Sequence, residues 1–159
     1  MRLYFAFIAL FLLTTSTTRA QDDDFSRRSL KGIKGVHVVV DLSPGIAEDS
    51  GLTTIALRTD IELKLQQASI PVLATGDPYL YVGIAVVPSS DKATWPYAVM
   101  VELHQPAALT RDSSIVVQRA ITWNVLRWGD VDKQNLRSLR TDVQDTVDMF
   151  INAYLAVNQ

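Results

Sequence analysis

The chain has 159 residues, 48% of them apolar, with 15 lysines and arginines against 17 aspartates and glutamates and a formal charge of −2. That balance argues against nucleic acid or an anionic membrane surface as partner, since both reward basic side chains. No cysteine is present, which excludes a disulfide framework, a thiolate metal site and a lipid-modified cysteine.

Arg2 precedes an uncharged apolar run from Leu3 to Leu13, followed by a small, polar stretch that ends Thr18-Arg19-Ala20. A basic start, a short apolar centre and small residues at the junction predict a signal peptide over 1–20. The run is shorter than the roughly 20 residues a membrane span needs, so the expected product is exported (periplasmic or secreted), without a membrane span or a lipid anchor. Loss of Arg2 and Arg19 leaves 13 basic residues against 17 acidic ones, a formal −4. Residues 21–35 are charged, and Gly32 and Gly35 lie near their end, so they predict a flexible leader that orders only at Gly35. Residues 36–159 show one composition and no repeat, as expected of a single domain large enough to be stable without cross-links.

From Val36 the sequence alternates, with Val36, Val38 and Val40 on one face and His37, Val39 and Asp41 on the other, which predicts a strand. Ser43-Pro44-Gly45 ends it. A helix is expected from Thr53 or Thr54, with Leu57, Ile61, Leu65 and Ala68 on one stripe, and Pro71 forbids its continuation. Ile70 to Leu73 reads as a short extended piece. Tyr79 to Val87 is the most strand-like segment, with Leu80, Val82, Ile84 and Val86 facing away from Tyr79, Tyr81, Gly83 and Ala85.

After a loop from Pro88 to Pro96, a strand is expected from Tyr97 to Gln105, ended by Pro106, and another from about Val116 to Leu126. In the latter Val117, Ile121, Trp123 and Val125 are assigned to one face and Gln118, Thr122 and Asn124 to the other. Gly129-Asp130 is read as the opening of the closing helix, capped by Asp130 or Asp132. Its stripe runs through Leu136, Leu139, Val143, Val147, Phe150, Ile151, Tyr154 and Leu155.

The order β-α-β-β-β-β-α predicts a two-layer α+β fold, a mainly antiparallel sheet of four to five strands with two helices on one face. The other sheet face would stay open and display His37, Asp41, Tyr79, Tyr81, Glu102, His104, Thr122 and Asn124. Two histidines and a carboxylate form a zinc set, so His37, Glu102 and His104 are candidate ligands if their strands are neighbours. Asp41, Asp77 and Glu102 are the acids that a hydrolase would use. No cofactor fingerprint, phosphate-binding glycine loop or nucleophile elbow occurs in the sequence, and neither a cofactor nor a catalytic or metal site is assigned. Trp123 is expected in the core, as core packing is favoured over binding for Trp95, Tyr97 and Trp128 as well. Lys133, Arg137 and Arg140 place positive charge near the start of this helix, and Arg137 and Arg140 lack acidic partners three or four residues away, which suggests contacts elsewhere in the chain or with an acidic partner.

The segments Leu30-Lys31-Gly32-Ile33-Lys34-Gly35-Val36, Thr59-Asp60-Ile61-Glu62-Leu63 to Ile70-Pro71-Val72-Leu73, and Asp148-Met149-Phe150-Ile151-Asn152-Ala153-Tyr154-Leu155 resemble small exported bacterial proteins of unknown function. In element order the chain is also similar to the amino-terminal domain of TolB and to CsgG-like periplasmic domains. The resemblance implies a non-catalytic cell-envelope domain that works through protein contacts, and it transfers no functional residue. A small-molecule or lipid carrier and a hydrolase using open-face acids are the alternatives.

Overall fold

The computed structural model describes residues 22–44, 51–90 and 93–158; the predicted signal peptide, Gly45 and the residues up to Ser50 lie outside them. Strand β1 (Val36–Leu42) buries Val36 and Val38. Helix α2 (Thr54–Gln67) is capped by Thr53, whose Oγ1 accepts from the Ala56 amide at 3.1 Å, and it buries the expected Leu57, Ile61 and Leu65. Short β2 (Val72–Leu73) follows Pro71, then come β3 (Tyr79–Val86), β4 (Thr94–Leu109), β5 (Asp112–Asp132) and α3 (Leu139–Asn158).

The strands form one sheet in the order β2-β1-β3-β4-β5. β1 runs parallel to β2 and β3, because a helix carries the chain back between β1 and β2. β3, β4 and β5 are joined by short connections and pair antiparallel over longer ladders. The result is the expected α+β architecture with a mixed sheet. Val38, Leu80, Val82, Val99, Val101, Leu103 and Trp123 from the sheet meet Ile61, Leu65, Val143, Val147 and Phe150 from α2 and α3 in one core. Between the helices Lys64 pairs with Asp148 at 2.8 Å, and Arg140 binds Asp60 through both carboxylate oxygens. The Arg140 guanidinium holds the Asp60 carboxyl below its ordinary 3.8. Of the cations expected without partners at the start of α3, Arg140 is engaged by Asp60 and Arg137 also has a partner within the chain.

Three expectations are corrected. Both hairpin strands are longer than their alternation suggested. β4 begins at Thr94, and the ladder crosses Pro106 through a register shift between Gln105 and Ala107. β5 continues to Asp132, with Trp95 opposite Val131 and Val131 buried, so the closing helix does not open at Gly129. Asp132 instead caps a turn, accepting from the Gln134 amide at 2.8 Å. One 3-10 turn (Leu136–Ser138) precedes α3.

The third correction concerns the leader. Helix α1 (Asp24–Arg27) and a 3-10 turn (Arg28–Leu30) pack on the body, and Leu30 is fully buried. Asp23 closes a capping box with Ser26, whose hydrogen bond holds the Asp23 carboxyl below its ordinary value. Asp22 accepts a two-pronged bond from Arg27 (2.7 Å each) and one from the Trp123 indole (3.1 Å). At the far end of the fold, Asn158 of α3 accepts from the Gly32 amide and donates to the Leu30 carbonyl, while the Tyr154 hydroxyl donates to the Ile33 carbonyl. Gly35 then passes so close to Pro71 that a Cβ there would lie 2.5 Å from its carbonyl oxygen. A short charged segment has no helix signal of its own, since its order comes from partners about a hundred residues away.

Candidate functional site

The sheet face opposite α2 and α3 is covered by no described helix. Register places its residues in cross-strand rows. His37, Tyr79, His104 and Ile121 form one row, and Val39, Tyr81, Glu102 and Asn124 the next. Asp41, Gly83, Met100 and Leu126 follow, then Ala85, Ala98 and Trp128. The predicted open-face residues His37, Asp41, Tyr79, Tyr81, Glu102, His104 and Asn124 therefore share one surface. Thr122 is the exception: a register shift makes it the extra residue of β5, its hydroxyl accepting from Gln105 and its carbonyl from Ser29. The same bulge turns Ile121, expected in the core, onto the open face, where it is exposed.

One half of this surface is a polar, aromatic cluster. The His104 ring stacks on Tyr79 (centroids 4.6 Å apart, planes at 13°) and meets Tyr81 edge-on at 5.9 Å. Its Nε2 lies 2.8 Å from Glu102 Oε2, so Nε2 carries the proton, since the carboxylate can only accept. Nδ1 is buried without a hydrogen-bond partner among the described residues. The Tyr81 hydroxyl donates to Asp41 Oδ2 at 3.1 Å, and its ring lies over Gly83, where a Cβ would approach it to 2.9 Å. Burial first, then the bond to Asp41, push the Tyr81 phenol above its ordinary 10.0.

A measurable consequence follows from that last contact. Replacing Asp41 with asparagine should lower the alkaline titration midpoint of Tyr81, read by phenolate absorbance, because an anion beside the phenol is removed. The same titration in Tyr81→Phe identifies the signal. An unchanged midpoint in Asp41→Asn would show that the carboxylate does not reach the phenol in solution.

The candidate metal set is not assembled. His37 donates through Nδ1 to the Leu73 carbonyl at 3.2 Å, while His104 stands two strands away, about 10 Å at ordinary sheet spacing. Among the described residues no group of three His, Asp or Glu side chains converges. Asp41 and Glu102 have the Tyr81 strand between them, and Asp77 lies in the connection before β3.

The other half of the face is apolar. Trp128, expected to pack in the core, is instead 73% exposed beside small Ala98, because the alternation of β5 carries it onto the open face, and Met100 and Leu126 are exposed in the neighbouring row. Val87, just past β3, is exposed as well. The charged residues in these rows are Asp41 and Glu102, joined by Asp130 opposite Pro96; no lysine or arginine occupies a position in them. The signal for this patch was present in the sequence: Leu126 and Trp128 continue the alternation of Asn124, as Met100 and Ala98 continue that of Glu102. Trp95 behaves differently, donating its indole N–H to the Ser89 carbonyl at 2.9 Å while packed against the core. Among the described residues no helix is long and apolar enough to cross a membrane. No known family, curated protein or solved structure matches the chain.

Proposed function

We propose that this chain is an exported, non-catalytic cell-envelope domain that binds a protein partner on the open sheet face. The observation that carries this is the apolar patch of Trp128, Leu126, Met100 and Val87, exposed on a sheet face that no described helix covers. Exposed apolar patches rimmed by polar groups mark contact sites, and tryptophan is among the residues that most often dominate an interface. The partner it fits is an apolar surface edged with lysine or arginine, which would answer Asp41, Glu102 and Asp130. Export is supported by the amino-terminal sequence pattern.

The test is photo-crosslinking in cells from a probe at position 128, with a second probe at exposed Ile55 on α2 as control. A discrete adduct from 128 that is absent from 55, on a product whose amino terminus reads Gln21-Asp22-Asp23, is expected. Trp128→Asp should weaken binding of the captured partner by about 30-fold or more, the loss of an interface hot spot of at least 2 kcal/mol. Adducts from both positions alike, or binding that survives Trp128→Asp and Leu126→Asp, would overturn the proposal. A product that retains its first twenty residues would overturn export.

A further inference from the structure

The hairpin of β4 and β5 outruns the rest of the sheet. The ladder between β3 and β4 stops at Tyr79 and His104, so Gln105–Leu109 and their partners on β5 have no third strand. A bare two-stranded ribbon is marginal in water, yet this one carries Ile115, Val116 and Val117 at 44, 45 and 41% exposure. From Ser113 to Gln118 the edge strand has no charge, proline or glycine and holds three β-branched residues in a row. Edge strands normally avoid such a run with charge, proline, brevity or bulges; here the register shifts of the hairpin fall to either side of Val116 and Val117, which pair in register with Ala108 and Ala107. At the opposite end of the sheet β2 has two residues and pairs only with Val36 and His37 of β1.

We propose that the outer edge of β5 between Asp112 and Ile121 pairs antiparallel with the same segment of a second copy, centred on Val116, joining two sheets into one. This rests on the free strand edge and not on the open face. A second copy is the occupant because the segment complements itself. The available edge is bounded by the hairpin turn and by Thr122, whose carbonyl already accepts from Ser29. The apolar triplet sits near its middle. In antiparallel register about Val116, Ile115 faces Val117 of the second copy and Ser114 faces Gln118. Arg119 faces Ser113 and Asp112 faces Ala120, so no like charges stand opposite each other. One local contact competes at the tip: Asp112 accepts from the Ser114 amide (3.0 Å) and hydroxyl (2.6 Å), and pairing exchanges the first of these for an interstrand bond.

The absence of cysteine makes the register directly testable. In Val116→Cys the two thiols belong to self-paired residues with Cα atoms about 4.5–5.5 Å apart, within disulfide reach. At Ile115→Cys or Val117→Cys the like residues are offset by two positions, about 8 Å apart, beyond that reach. Diamide oxidation should give covalent dimer at 116 and lose it at 115 and 117. Sedimentation of the wild-type protein should show a concentration-dependent dimer that Val116→Lys abolishes, with thermal unfolding unchanged at concentrations where both proteins are monomeric, and that Trp128→Asp leaves intact. A monomer at every concentration, or equal cross-linking at all three positions, would overturn the proposal. So would a dimer that Trp128→Asp dissociates and Val116→Lys does not.

Discussion

Trp123→Ala should destabilise the protein by about 3–5 kcal/mol, the range for deleting a fully buried aromatic side chain. Trp123 is completely buried opposite Leu103, and its ring meets Phe150 edge-on with centroids 5.4 Å apart. Such an aromatic pair adds about 0.5–1.5 kcal/mol to area burial. The indole N–H also donates to Asp22, so the substitution empties the space between sheet and α3 and removes one of the bonds that tie down the leader. A drop in melting temperature of about 10–20 °C is expected for a domain of this size. Trp123→Phe keeps most of the packing and loses the N–H, so it should cost less than half as much. Urea unfolding of the three proteins checks both values. A loss below about 1 kcal/mol for alanine would show that the tryptophan is not the centre of the core.

Leu30→Ala should cost about 2–5 kcal/mol, although the residue lies in a stretch whose composition suggests no structure. Leu30 is fully buried, and its carbonyl accepts from the Asn158 side chain at 2.9 Å. Phe25, five residues earlier, is 80% exposed, and Phe25→Ala should change stability by less than about 0.5 kcal/mol. The pair separates a docked leader from a flexible one: a mobile leader makes the two substitutions equal and close to neutral. Proteolysis gives a second readout, since cleavage after Arg27, Arg28 or Lys31 by trypsin should be slow in the wild type and faster in Leu30→Ala.

Those predictions concern residues at opposite ends of legibility. Trp123 could be assigned to the core from its neighbours Val125 and Ile121, although Ile121 itself was assigned wrongly. A period of two fixes which residues share a face only until a bulge inserts one residue, and nothing local in Ile121-Thr122-Trp123 announces that insertion. Helices α2 and α3 were readable because Leu57, Ile61 and Leu65, or Val143, Val147 and Phe150, repeat at the period of the helix. Leu30 was unreadable for the opposite reason, since single apolar residues between Ser29 and Lys31 carry no period. The open face was legible as a set of residues but not as neighbours. Alternation places His37, Tyr79 and His104 on one side, and only the strand order shows that Tyr79 separates the two histidines. The apolar half of that face is harder to read, because an apolar side chain such as Trp128 suits a core as well as a contact surface, and only its place in the alternation of Asn124 and Leu126 puts it outside.

The clasp between the leader and α3 bears on the timing of folding. Gly32 and Asn158, Leu30 and Asn158, and Ile33 and Tyr154 join residues that leave the ribosome more than a hundred peptide bonds apart. Contacts of such long sequence separation form late and slow the search for the native state. The first segment of the domain to be synthesised must wait for the last before it can settle, with Leu30 exposed throughout.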